Sequence, residues 1–143
     1  MKPIDFRPME HNDYSGVFAL WESCQGIGLG DSDTEPGIHQ FLDRNPGLSH
    51  VACEGDRIVG AVLCGDDGRR GYIHHLSVHP SNRRRGVGRI LVTRCLAALA
   101  RRNIHKCHLF IFRDNQEGMK FWLAEGWSRR DDLHVMSKSI IEE

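Results

Sequence analysis

Three stretches carry side chains whose types and spacing could do chemistry. They are the strand-like run Tyr72-Ile73-His74-His75-Leu76-Ser77-Val78, the basic turn Arg83-Arg84-Arg85-Gly86-Val87-Gly88-Arg89, and the acidic loop Asp31-Ser32-Asp33-Thr34-Glu35. The basic turn lies between that strand and a segment that reads as helix through about Arg102. Such a turn suits a phosphate. The first N–H groups of a helix lack partners, the helix dipole favours an anion there, and glycine lets the backbone approach closely. In the strand, alternation puts Tyr72 and His74 on one face and His75 on the other. An imidazole titrating near ~6.5 is well matched to taking a proton at neutral pH, which makes His74 the candidate base. The alternative for His74 is a half-buried strand histidine with a backbone partner. His75 reads as a core or helix-facing residue. The carboxylates of Asp31, Asp33 and Glu35 could attract a cationic molecule, and equally could cap a helix in a solvated loop.

The elements that must position these groups follow from periodicity. Lys2 to Pro8 alternates as a short strand. Asn12 or Asp13 caps a helix whose Tyr14, Val17, Phe18, Trp21 and Cys24 share one face. Gly26, Gly28 and Gly30 end it. A second helix starts near Thr34, with Pro36 in its first turn, and stops at Asn45-Pro46-Gly47. His50–Glu54 and Ile58–Cys64 form a hairpin about Gly55-Asp56. After the long helix, the apolar run Cys107–Phe112 is expected to be a central strand buried on both faces. Asn115–Glu125 reads as a short helix closed by Gly126, and Trp127 and His134–Ile140 read as closing strands. Antiparallel strands followed by a βαβ-like segment give an α/β (α+β) fold, a mixed sheet with helices on both faces. The whole chain, 1–143, reads as one domain.

Bulk composition narrows the function. The chain has 143 residues, enough to bury a core without staples. Its 19 Lys and Arg balance 19 Asp and Glu, so there is no overall field for nucleic acid. Arg101, Arg102, Arg129 and Arg130 have no aromatic stacking platform beside them and read as solvated faces. Nine histidines and five cysteines show no metal-ligand spacing, so no metal is expected. The cysteines are odd in number, lie in apolar runs and form no CxxC, which points to a reducing, cytoplasmic setting. No run is apolar and long enough for a membrane span, and Met1-Lys2-Pro3-Ile4-Asp5 lacks the apolar stretch of a signal peptide.

Arg83-Arg84-Arg85-Gly86-Val87-Gly88 resembles the Q/R-x-x-G-x-G/A signature of the GNAT acetyltransferase superfamily. The context agrees: Leu76-Ser77-Val78-His79-Pro80 is similar to the strand that precedes that turn. The segment Asn115-Gln116-Glu117-Gly118-Met119-Lys120-Phe121-Trp122-Leu123-Ala124-Glu125-Gly126-Trp127 resembles the family's N-x-x-A-x-x-F-Y-x-x-x-G-F run. Leu20-Trp21-Glu22-Ser23-Cys24 and the acidic loop are similar to a bacterial subgroup, the YpeA-like proteins. The resemblance implies a bulge near Leu76 to Val78 that splays the sheet into a V, with acetyl-coenzyme A as cofactor and an amine, small molecule or peptide, as acceptor. Backbone N–H groups from about Arg85 to Arg89, with Arg83, Arg84 and Arg89 nearby, would cradle the pyrophosphate. Leu76, Ser77 and Val78 would pair with the pantetheine arm, and the N–H of Leu76 or Ser77 would face the thioester oxygen. Asn115 would contact the same arm. Tyr72 and His74 stand where relatives keep a base or a water chain, and Trp21, Asp31 and Asp33 where they border the acceptor. Trp122 occupies the place of a tyrosine that protonates the leaving thiolate, a role indole cannot fill. That departure keeps a second reading open, a weak or inactive acyl-CoA-binding module. Edge strands of this fold often pair, so a homodimer is an available assembly.

Overall fold

The computed structural model describes residues 2–141. The chain divides after Phe112 into two compact units. The first carries the sheet. β1 (Asp5–Pro8) leads through a tight turn at His11–Asp13 into α1 (Tyr14–Glu22), and a second such turn at Asp31–Asp33 leads into α2 (Glu35–Arg44). Asp13 anchors the first turn. Its Oδ2 accepts the Glu10 N–H at 2.8 Å, and Arg7 forks onto both its oxygens at 2.7 and 2.8 Å. Thr34 caps α2 by accepting the Gly37 N–H, and Pro36 sits in the first turn, where no N–H is needed.

β2 (His50–Glu54), β3 (Arg57–Asp66) and β4 (Gly71–Val78) follow as an antiparallel run, then α3 (Val87–Arg101) and β5 (Cys107–Leu109). Among the described residues the strand order is β1-β2-β3-β4-β5, antiparallel except for the parallel β4–β5 pair. Period-two alternation in β2 and β3 sorts the core. Val51, Cys53, Ala61 and Leu63 pack with Val17, Leu20 and Trp21 of α1 and Ile38 and Leu42 of α2. On the opposite face, the Gly60 position lies under Val87 and Leu91 of α3. The expected mixed, mostly antiparallel sheet with helices on both faces is what forms.

Gly60 sets how closely α3 approaches. A Cβ there would lie 2.9 Å from Val87 Cγ1, 3.1 Å from Leu91 Cδ1 and 3.2 Å from the Ala52 Cβ. These neighbours are themselves buried, so they cannot swing away. Gly60→Ala is expected to lower stability by about 1–3 kcal/mol through overpacking, read as a drop in the denaturation midpoint at unchanged m-value.

Two sequence expectations are corrected here. Cys107–Phe112 is not a central strand. β5 ends at Leu109, lies at the edge of the sheet, and leaves Phe110 and Phe112 64% and 57% exposed. An apolar run reports a wish to be covered, not the position in the sheet where cover is found. In the second unit α4 (Gln116–Ala124) forms as expected, closed at Gly126 with φ +91°. Trp127 and the described residues of 134–140 are not strands. Instead the chain turns at 131–132, and Arg129 pairs with Asp131 at 2.6 Å and Arg130 with Asp132 at 3.0 Å. Val135, Met136 and Ile140 remain exposed there.

Candidate active site

The centre of the site is an irregularity in β4. Leu63 of β3 stands opposite His74, and Ala61 opposite Ser77. Two residues of β4, His75 and Leu76, therefore occupy the step where β3 supplies only Val62. This is a β-bulge, and its first residue, His75, has φ +52°. The bulge breaks strict alternation. His74 and His75 consequently both face the α1–α2 layer, whereas alternation places them on opposite faces. His75 is helix-facing, as expected, but on the same side as His74.

His74 packs edge-on against Phe41 of α2, ring centroids 6.0 Å apart, and its plane lies within 6° of the Tyr72 ring at 6.4 Å. Burial lowers its proton affinity below the ordinary histidine value. The neighbouring His75 pushes the same way, and Asp33 opposes with a smaller effect. The ring is thus neutral at pH 7. Among the described residues it has no hydrogen-bond partner, so one nitrogen keeps a bare lone pair. His75 is tied down: its Nε2 lies 3.0 Å from Asp33 Oδ1, and its ring meets Trp21 edge-on at 5.1 Å.

β4 is also where the sheet opens. Its pairing with β5 stops at Ile73 opposite Leu109, while β4 itself runs on to Val78. From His74 onward that side of β4 has no strand partner among the described residues, which is the expected V. The Val78 carbonyl at its far end accepts from Arg83 Nε at 3.1 Å, bracing the basic turn against the strand.

The turn has the form of an anion cradle. Arg84 and Gly86 adopt φ +65° and +78°. The first α3 hydrogen bond of the usual spacing runs from the Ile90 N–H to the Gly86 carbonyl at 3.1 Å. The N–H groups of Val87 and Gly88 precede it and have no acceptor within the helix, and no side chain caps that end. A Cβ on Gly86 would meet nothing within 4 Å, so the approach is open. Arg84 and Arg89 are exposed. Arg85 points elsewhere, its guanidinium on Glu54 and the Lys2 carbonyl at 3.4 and 3.3 Å. Open glycine backbone, two N–H groups without helical acceptors and surrounding guanidinium charge fit a pyrophosphate.

The other expected residues divide sharply. Asp31 is exposed, whereas Asp33 is buried and engaged by protein partners. Trp21 is 1% exposed and belongs to the core; its indole N–H meets no acceptor among the described residues. Within the second unit, Asn115 spends its side-chain oxygen capping α4, accepting the Gly118 N–H at 2.9 Å. Trp122 packs edge-on against Trp127 at 5.0 Å and Phe121 at 5.1 Å. Besides the shared face of His74 and His75, sequence reasoning missed the pairing of His75 with Asp33. The partners are 42 residues apart, and no local pattern links them.

The model of the acetyltransferase (GNAT) family matches residues 14–127. The chain belongs to that family. The acetyltransferase is 36% identical to an acetyltransferase of Pectobacterium atrosepticum over 140 residues, 98% of each chain. Among solved structures it is similar to the PaiA N-acetyltransferase of Thermoplasma acidophilum in complex with coenzyme A. The TM-score is 0.79 at 15% identity, covering 90% of this chain and 92% of that one. It is also similar to the aminoglycoside acetyltransferase AAC(6')-Iy bound to a bisubstrate analogue of coenzyme A. There the TM-score is 0.76 at 16% identity, covering 96% and 99%. These last two likenesses are of fold. Family membership brings acetyl-coenzyme A as the acetyl donor, and the cradle at Gly86 has the chemistry to hold its pyrophosphate. The inactive-module alternative gives way to an acetyltransferase. No helix among the described residues is long and apolar enough to cross a membrane.

Proposed function

We propose that this acetyltransferase acetylates a primary amine, on a small molecule or a peptide, by direct attack of the amine on the donor's thioester. Acetyl-CoA supplies the activated carbonyl; the chain's residues do the rest. The Val87 and Gly88 N–H groups, with Arg83, Arg84 and Arg89 around them, hold the pyrophosphate. The unpaired side of β4 from Leu76 to Val78 pairs with the amides of the arm as an added strand would. The N–H of Leu76 or Ser77 serves as oxyanion donor. His74 takes the amine proton, directly or through water, with Tyr72 stacked on it. Exposed Asp31 favours a cationic acceptor. In this reading no indole proton is passed to the thiolate. A thiol with a pKa near about 8.5 leaves without a strong acid. The YpeA-like subgroup and a cytoplasmic setting belong to the same reading, the latter favoured by five free cysteines.

The observation that carries this function is the joint geometry of β4: bulged at His75, unpaired past Ile73, and braced to a glycine cradle by Arg83. Saturating acetyl-CoA at about 100 times its Kd is expected to add about 2.7 kcal/mol to stability, a rise in Tm of roughly 5–10 °C. Free-thiol release over a panel of amines then identifies the acceptor class. An unchanged Tm at saturating acetyl-CoA removes the proposal.

A further inference from the structure

Beneath the bulge lies a buried pair that the acetyl-transfer reading leaves without a role. Asp33 Oδ1 lies 3.0 Å from His75 Nε2, and Oδ2 accepts the Gly30 N–H at 2.9 Å. The Tyr14 hydroxyl donates to the Asp33 main-chain carbonyl at 2.7 Å. The two side chains are only 10% and 18% exposed. With both oxygens taken up by protein groups, Asp33 is poorly placed to draw in a cationic acceptor. Its partner sits at the one β4 position with a left-handed backbone, φ +52°. A histidine in that region is strained and persists only where its surroundings enforce it. Three contacts enforce it here: the Asp33 bond, the Trp21 edge, and the Ser77 hydroxyl donating to the His75 carbonyl at 2.9 Å.

We infer that the Asp33–His75 pair is a strut that fixes the β4 bulge and thereby aims the oxyanion donor. The inference rests on the acetyl-transfer reading above. The Leu76 N–H belongs to the peptide plane that follows His75, so the His75 backbone angles decide where it points. Pinning the far end of the imidazole to the α1–α2 loop prevents His75 from relaxing into ordinary extended backbone. That relaxation would straighten the strand and turn the Leu76 and Ser77 N–H groups away from the thioester oxygen. Asp33 and His75 are therefore positioning residues. The strut also makes one rigid body of the donor strand and the loop beside the acceptor.

The test needs no acceptor. Acetyl-CoA labelled with ¹³C at the thioester carbonyl is bound to the full chain, and its carbonyl stretch is read by isotope-edited infrared spectroscopy. In the wild type, hydrogen bonding to the oxyanion donor shifts the stretch below that of free acetyl-CoA. Asp33→Ala and His75→Ala are each expected to return it at least halfway to the free value while changing Kd less than about threefold. Asp33→Asn keeps an amide within reach of the imidazole and is expected to restore most of the wild-type shift. The double variant Asp33→Ala/His75→Ala is expected to be no worse than the more affected single variant, because the two residues act as one unit. Should Asp33→Ala fail to fold, His75→Ala carries the test, since alanine deletes the strut and, unlike glycine, keeps the strain of the left-handed backbone. A wild-type shift in the single variants overturns the strut, as does strict additivity in the double variant. Wild-type protein that binds acetyl-CoA with no carbonyl shift also overturns it. Protein that binds no acetyl-CoA defeats the acetyl-transfer reading instead.

Discussion

Replacing His74 by Ala is expected to lower kcat about 10²- to 10³-fold with little change in the KM for acetyl-CoA. The size follows from what a positioned base contributes, typically 10²–10⁴-fold. The sparing of KM follows because His74 is no part of the cradle at Gly86. The sign of the pH dependence is fixed by the environment. Burial, then His75, pulls the His74 pKa below its ordinary value near ~6.5. A base must be deprotonated to act, so kcat/KM falls as pH drops through that lowered value and is flat above it until another group titrates. The acid limb therefore belongs below pH ~6.5, and His74→Ala removes it. A variant that keeps both the rate and the limb takes His74 out of the reaction.

The second large effect is expected at Gly86. Its φ of +78° lies in the left-handed region, and an added Cβ would meet nothing within 4 Å. The penalty for a side chain is thus conformational rather than steric. It amounts to about 1–2 kcal/mol for an ordinary residue and more for a β-branched one. Gly86→Val relieves that strain only by leaving the left-handed region, which reorients the N–H groups of Val87 and Gly88. Isothermal titration with acetyl-CoA should show Kd raised about 30- to 100-fold, with the fold retained. Binding at wild-type strength in this variant would place the pyrophosphate elsewhere.

What could be read from the sequence was whatever is written in local spacing. The helices of Tyr14–Glu22, Glu35–Arg44 and Val87–Arg101 follow from apolar periodicity and caps, and the β2–β3 hairpin from its Gly55-Asp56 turn. The basic turn was legible because its glycines and arginines are consecutive. The errors arise where a decision belongs to pairing. Alternation alone puts His74 and His75 on opposite faces, and the bulge, which the resemblance implied a little further along near Leu76 to Val78, brings them to the same side. The same reason governs β5. The run Cys107–Phe112 is apolar enough for an interior strand, yet only three of its residues pair with β4. Trp127 and the 134–140 segment carry strand-like residues, but a strand is defined by the partner it bonds. The Asp33–His75 bond is the extreme case, a contact across 42 positions with no motif at either end.

The open side of β4 has a consequence for solubility. A strand with unpaired N–H and C=O groups is a template on which any extended segment can dock, and such edges invite self-association. Here the stretch without a strand partner among the described residues is short, from His74 to Val78, and the bulge at His75 lies within it. A regular peptide laid along it would lose register within one or two residues, because the bulged strand twists away from a straight partner. The irregularity acts as a gatekeeper, turning away generic strands while leaving room for an arm with two well-separated amides. Straightening the bulge would cost the protein more than a well-aimed N–H; it would also expose a sticky edge.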